Sequence, residues 1–171
     1  MEGATGQGID ENIRAGYAFL AQHYADGDEI YLFGFSRGAF TARSIAGFIA
    51  HCGLLKRESS GQLGSAWDYY RSEGPRSPAD FMRKYPATCF DAVYITFLGV
   101  WDTVGALGIP GGSGLSNKYA FHDTKPSSIV RHGCHALAID ENRGNFVPTL
   151  WTGEVPEGCK IEQVWFAGAH A

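Results

Sequence analysis

The chain has 171 residues, of which 44% are hydrophobic and 19% charged, a composition that fits one globular domain and excludes a disordered chain. The formal charge of −4, without any cluster of lysine and arginine, argues against a nucleic acid partner. No stretch is long and apolar enough to cross a bilayer and no signal peptide opens the chain, so we expect a protein that is cytoplasmic where it is made.

The first part of the chain has the pattern helix, strand, helix. Apolar residues recur at helical spacing from Asp10 until Ala25-Asp26-Gly27-Asp28 ends the helix. The apolar run EIYLFGF (29–35) is typical of a buried strand. A second helical stripe follows from Phe40 to Cys52, with Gly53 at its expected C-cap.

Two later segments are rich in loop-forming residues. Residues 56–90 combine Ser, Gly, Pro and charge with scattered aromatics, which indicates an insertion of short helices and loops on the core fold. Residues 105–117 hold five glycines and predict a long loop, but no Gly-Lys-Ser/Thr accompanies them, which argues against a phosphate-binding loop. Both segments are candidates for a cap or an acyl channel.

The remaining segments predict the fold class. Residues 92–101 (AVYITFLGVW) form the clearest strand, 127–141 are predicted to be a helix, and 161–167 (IEQVWFA) a final strand. Strands separated by helical stretches predict a single α/β domain with a mainly parallel sheet and flanking helices.

The sequence GFSRG (34–38) carries the first chemical signal. A lone Gly-x-Ser-x-Gly is weak evidence, but here it lies between a predicted strand and a predicted helix, as a nucleophile elbow requires. Gly34 and Gly38 let the backbone turn tightly around Ser36. The backbone N–H of Arg37, at the start of the helix, suits an oxyanion donor.

A serine nucleophile needs a histidine base that is oriented by a carboxylate. Asp102 directly follows one predicted strand and His170 comes just after another, so both are expected at the same sheet edge as Ser36. The chain order Ser36, Asp102, His170 is that of the α/β-hydrolase triad. Asp140 competes for the role of the acid, although it falls on a predicted helix.

Other polar residues are assigned no catalytic role. His132 and His135 have i, i+3 spacing near Cys134, but no third carboxylate or cysteine is evident, so we expect no metal and no other cofactor. The four cysteines are isolated and are expected to be reduced. Arg37 and Arg43 are interpreted as a surface charge and a helix-face charge.

Four blocks of the chain resemble a known family. GDEIYLFGFSRGAFTARSIAGFIAHCGLL, FLGVWDTVGALG, HALAIDENRGNFVPTLW and QVWFAGAH are similar to the α/β-hydrolase domain of the bacterial type VI secretion lipase effectors and their relatives, long catalogued as a domain of unknown function. The resemblance implies phospholipase activity and a triad formed by Ser36, Asp102 and His170. It also implies export by type VI secretion, with a secretion-apparatus or immunity protein as partner.

The chain departs from this family at both ends. Members usually begin with a strand ending in an Asp-Gly-Thr type loop, which would precede Met1, and they usually continue beyond the histidine. We therefore expect a fragment that lacks the loop supplying a second oxyanion donor, and an isolated chain with little or no activity.

These observations predict a serine hydrolase that cleaves a carboxylic ester, preferably of a phospholipid or other lipid. One alternative is a catalytically silent α/β module for binding or delivery. Another is a serine hydrolase acting on a non-lipid ester or a peptide, because specificity depends on pocket shape.

Overall fold

The computed structural model describes residues 7–104 and 125–170, so the predicted loop at 105–117 lies outside the described residues. Two 3-10 turns, Arg57–Gln62 and Gly144–Phe146, accompany the helices and strands. The α-helices and strands, in chain order, are α1 (Gln7–His23), β1 (Ile30–Phe35), α2 (Arg37–Cys52), α3 (Leu63–Arg71), α4 (Pro78–Lys84), β2 (Ile95–Trp101), β3 (Val130–Ala138) and β4 (Lys160–Phe166).

The four strands form one sheet in the order β1-β2-β3-β4, and every neighbouring pair is parallel. This confirms the predicted α/β fold with a parallel sheet. Because all strands run in the same direction, their carboxyl ends lie along one edge, where ligands bind in open α/β sheets. Phe35 pairs with Trp101 and Trp101 with Ala136, so the ends of β1 and β2 are level with each other and with β3.

The prediction of a helix at 127–141 is wrong, because this segment contains β3. From Gly133 onward buried and partly exposed residues alternate, which is the period of a strand rather than of a helix. Its alanines and histidines have little strand preference of their own, so the pairing on both sides with β2 and β4 decides the conformation. Gly133 also allows the side chains of Ile161 and Trp151 to pack closely against the strand.

One face of the sheet is covered by α2, and α1 packs against α2. Tyr17 of α1 stacks on Phe48 of α2, with 3.9 Å between ring centres. The Tyr17 hydroxyl donates to the carbonyl of Gly53 and accepts from the N–H of Leu55, and burial raises the pKa of this phenol above its usual range. Gly53 has a φ of +77° and ends α2, which confirms the predicted C-cap.

The short helices predicted within 56–90 are present as α3 and α4. They pack around the C-terminal end of α2, where the thiol of Cys52 donates to the carbonyl of Ala66 and Leu55 pairs with Cys89. Since α2 has 16 residues, this end lies about 24 Å from its start. Residues 56–90 therefore do not form the predicted cap over Ser36.

Arg43 is buried, with 2% of its surface exposed, rather than a charge on an open helix face. Its guanidinium donates to the carbonyl of Thr149 and lies 4.9 Å from the ring centre of Trp151. A carbonyl oxygen and an aromatic face supply the negative potential that a buried cation needs. Arg43 thus fixes the loop before β4 to α2.

His135 on β3 is buried as well. Its ring bonds to β4 on one side and to the segment after Asp102 on the other. Its Nε2 accepts the N–H of Thr103 at 3.2 Å, and its Nδ1 donates to the side-chain oxygen of Gln163 at 3.4 Å. Burial, together with the nearby Arg43 charge, lowers the pKa of His135 to about 4. His135 is therefore neutral at pH 7.

This histidine predicts a loss of stability in mild acid. Below about pH 6.5 the unfolded chain takes up a proton that folded His135 accepts only near pH 4, so the free energy of unfolding should fall by about 3 kcal/mol across this interval. Urea unfolding of the full-length protein at several pH values measures this loss. In His135→Gln the free energy of unfolding should fall less over this pH interval than in the wild type. In His23→Gln, which replaces an exposed histidine, it should fall by as much as in the wild type. Equal losses in wild type and His135→Gln would contradict the assignment.

Candidate active site

Ser36 occupies a sharp turn between β1 and α2. It has φ 57° and ψ −120°, a left-handed φ that is uncommon for a residue with a side chain. Its N–H donates to the carbonyl of Trp101 at 2.9 Å, so the turn remains bonded to the end of β2. The side chain of Ser36 is thereby presented at the carboxyl edge of the sheet and is partly exposed.

The two glycines around Ser36 differ in importance. A Cβ atom on Gly34 would lie 2.3 Å from the carbonyl oxygen of Gly38, so only glycine fits where β1 meets the start of α2. A Cβ atom on Gly38 would have no described neighbour within 4 Å. The close approach of backbone therefore requires a glycine at position 34, whereas position 38 has room for a side chain.

Asp102 follows β2 in the same way that Ser36 follows β1. Its N–H donates to the carbonyl of Ala136, and its own φ is +39°. One carboxylate oxygen accepts the N–H of Ala138 at 2.6 Å, and the other lies 3.5 Å from Nδ1 of His170. The carboxylate is therefore fixed by β3 and faces the histidine.

His170 lies between Ser36 and Asp102. Its Nε2 is 2.9 Å from Oγ of Ser36, whereas the 3.5 Å between Nδ1 and Asp102 exceeds an ordinary hydrogen bond. The ring is 4% exposed and is held between the rings of Phe35 and Phe146, at 4.8 and 4.9 Å between centres. The three residues selected from the sequence thus come together at one sheet edge.

Asp140 lies in the turn after β3, not on the predicted helix, and it does not face the imidazole. Its carboxylate accepts the N–H of Gly168 at 2.8 Å, and its own N–H donates to the carbonyl of Gly168. Asp140 therefore holds the backbone of the loop that leads from β4 to His170.

The next residues of this turn hold His170 itself. The Glu141 carboxylate accepts the N–H of His170 at 3.1 Å, and Arg143 donates both to that carboxylate and to the carbonyl of His170. The hydrogen bonds from Arg143 lower the pKa of Glu141 to about 2, so this contact stays ionised at neutral pH. Neither residue was assigned a role from the sequence, although both lie in the charged run DENRG (140–144) that follows an apolar segment.

Apolar surface borders the triad on the sheet face opposite α1 and α2. Phe35 and Trp101, which immediately precede Ser36 and Asp102, are each 47% exposed. A cavity of about 260 Å³ continues this surface next to Asp102, between Trp101 and Phe166.

His132 and His135, noted in the sequence for their i, i+3 spacing, do not come together, because residues three apart in a strand point to opposite faces. Within residues 7–104 and 125–170, one group of three possible ligands is present, formed by His132, Cys134 and Glu162. It contains no member of the triad.

A family model described as the catalytic domain of Tle1-like phospholipase effectors of the type VI secretion system matches residues 1–171. The chain belongs to this family. The resemblance noted in the sequence is thereby confirmed, and membership supports a lipase-type enzyme.

Individual relatives extend this comparison. The uncharacterized protein YEL023C of Saccharomyces cerevisiae is 35% identical over 155 residues, covering 84% of this chain and 22% of the yeast protein. A Tle1 effector, solved bound to the VgrG spike, is 20% identical over 96% of this chain and 28% of its own, with a TM-score of 0.43. An uncharacterized Pseudomonas aeruginosa protein is 19% identical over 94% of this chain and 21% of its own, with a TM-score of 0.45.

The chain therefore spans about a fifth to a quarter of the length of the proteins it matches. Among the helices that the structure describes, none is long and apolar enough to cross a membrane.

Gly34 and Gly38, the two glycines of GFSRG, give a matched pair of variants. Gly34→Ala should destabilise the protein by about 1–3 kcal/mol, because its Cβ collides with the backbone of Gly38. Gly38→Ala adds a methyl group in open space on α2 and should be neutral or stabilising by up to about 1 kcal/mol. Urea unfolding of the two full-length variants measures the difference, and equal effects would contradict the observed turn.

Proposed function

We propose that this chain carries the catalytic centre of a serine hydrolase that cleaves carboxylic esters of phospholipids or other lipids. The observation behind the proposal is the 2.9 Å contact between Oγ of Ser36 and Nε2 of His170, with Asp102 beyond the other ring nitrogen. This is the mutual geometry that an activated serine nucleophile requires.

In the proposed reaction Oγ of Ser36 attacks the acyl carbonyl carbon while Nε2 of His170 takes the hydroxyl proton. The tetrahedral intermediate then expels the alcohol, which receives that proton from Nε2, and leaves an acyl-serine. Water, deprotonated by the same nitrogen, then attacks the acyl-serine; the ester bond breaks, Nε2 returns the proton to Oγ of Ser36, and the carboxylic acid leaves. Asp102 holds the tautomer with the proton on Nδ1 and stabilises the imidazolium that forms in both halves of the reaction.

The oxyanion of the intermediate needs preorganised donors. Arg37 is the first residue of α2, and the amide groups of a first helical turn point toward its N-terminal end, past Ser36. We assign the backbone N–H of Arg37 as one of these donors.

Two features support a lipid as the substrate. The family is named for phospholipase effectors, and the side chains of Phe35 and Trp101 extend an apolar surface away from the nucleophile and its acid. Export by a type VI secretion system, with a secretion-apparatus or immunity protein as partner, belongs to the same proposal. It is supported by the family match and by the Tle1 effector that was solved bound to a VgrG spike.

Labelling with a fluorophosphonate probe tests the nucleophile. Such probes react with an activated serine hydroxyl, so the full-length protein should be labelled and Ser36→Ala should not be. Ser44→Ala, which removes a buried hydroxyl two turns further along α2, is the control and should keep the label. A folded full-length protein that is not labelled would instead identify a silent binding or delivery module.

Turnover of a phospholipid and of a short-chain ester tests the acid. In an active, complete version of the protein, Asp102→Asn should lower turnover by about 10⁴-fold, because an amide stabilises the wrong histidine tautomer. Asp140→Asn retains an oxygen that can accept the N–H of Gly168 and should have a much smaller effect. If Asp140→Asn is the more damaging change, Asp102 is not the acid. Activity on the short ester alone would exclude the lipid preference.

A further inference from the structure

A second cluster of reactive side chains lies on the sheet face opposite α1 and α2. His132 and Cys134 are two residues apart on β3 and therefore point to the same face. Glu162 on β4 is paired with Cys134 in the strand register. Because all three residues belong to paired strands rather than loops, hydrogen bonds of the sheet fix their relative positions.

The donor atoms of this cluster are close enough to share one ion. Nε2 of His132 lies 3.3 Å from Sγ of Cys134 and 3.7 Å from a carboxylate oxygen of Glu162. All three donor atoms lie within 4.8 Å of one another. A tetrahedral zinc ion separates its sulfur and nitrogen ligands by about 3.5 Å, and nitrogen and oxygen ligands by about 3.3 Å, given its usual bond lengths.

Three features of the surroundings affect the binding of an ion at this cluster. The ammonium group of Lys160, two residues before Glu162 on β4, contacts the Glu162 carboxylate. The ring of His132 stands edge-on to Phe97 at 85°, which limits its rotation. The side chains of His132 and Glu162 are about two-fifths exposed, so water can reach the cluster and complete a coordination sphere.

We propose that His132, Cys134 and Glu162 form a zinc-binding site with a water molecule as the fourth ligand. A thiolate, an imidazole and a carboxylate together suit zinc, whereas magnesium and calcium prefer oxygen ligands alone. On binding, zinc displaces the Lys160 ammonium from Glu162, and the thiol of Cys134 gives up its proton to solvent.

The proposed site is separate from the triad and does not depend on the proposed function. Cys134 is level with Gly99, three residues before Asp102, which places the two about 10 Å apart along the strands. Zinc here would link β3 to β4. Since β4 is the last strand in the described sheet order and has β3 as its partner, such a link would stabilise the strand that leads to His170.

Cobalt provides the direct test, because a thiolate bound to Co²⁺ gives a charge-transfer band in the near ultraviolet. The full-length protein, purified with chelator and kept reduced, is titrated with Co²⁺ and then with competing Zn²⁺. We expect one equivalent of Co²⁺ to produce the band, and Zn²⁺ to abolish it. Zn²⁺ alone should also raise the melting temperature.

Four variants assign the ligands. Cys134→Ser should remove the band and the zinc-dependent rise in melting temperature, and Glu162→Gln should weaken binding by at least about 10-fold. Lys160→Met removes the competing cation and should tighten binding about threefold to tenfold. Cys159→Ser, which removes a partly exposed cysteine just before β4, should leave the band unchanged.

Circular dichroism shows that each variant is folded. The proposal is overturned if the folded wild type gives no band. It is equally overturned if the band survives in Cys134→Ser or is lost in Cys159→Ser. None of these readouts requires hydrolase activity, so the zinc site and the proposed function can fail separately.

Discussion

The candidate site depends on two backbone hydrogen bonds. Each continues the hydrogen bonding of the parallel sheet by one residue past the end of a strand, β1 in one case and β2 in the other. The N–H of Ser36 donates to the carbonyl of Trp101, and the N–H of Asp102 donates to the carbonyl of Ala136. Each residue thus leaves its own strand while still bonded to the neighbouring one. Both have positive φ values, which residues with side chains adopt only where the surrounding structure enforces them. The sheet therefore fixes the positions of Ser36 and Asp102 at its carboxyl edge.

The histidine is held in a different way. His170 comes four residues after β4 ends, and its backbone is bonded by the turn that follows β3 rather than by a strand. Glu141 and Arg143 bind the N–H and the carbonyl of His170, while Asp140 binds Gly168. Because the hydrogen bonds from Arg143 lower the pKa of Glu141, its carboxylate stays ionised at neutral pH and continues to accept the N–H of His170.

Much of the fold and of the candidate site could be predicted from the sequence, and the exceptions have physical reasons. The strand at 30–35 and the helix from Arg37 are specified by local pattern, and so is the strand at 95–101. Those strand ends were sufficient to select Ser36 and Asp102. The segment at 127–141 was predicted wrongly because β3 is determined by its two neighbours and not by its own composition. Because of that error, the sequence did not indicate that the turn after β3 holds His170, nor that Glu162 lies close to His132. Both facts depend on which residues of neighbouring strands are paired.

The burial of Arg43 and His135 follows from the same dependence on neighbouring elements. Helical spacing indicates a face for Arg43, but it cannot show that the loop at 149–151 covers that face. Once Arg43 is buried nearby, a second positive charge on His135 is disfavoured, and the neutral imidazole can accept the N–H of Thr103. Thr103 directly follows Asp102, and its carbonyl accepts the N–H of Thr149 from the loop that Arg43 holds. A buried cation on α2 and a neutral histidine on β3 therefore fix the segment that follows Asp102 from two sides.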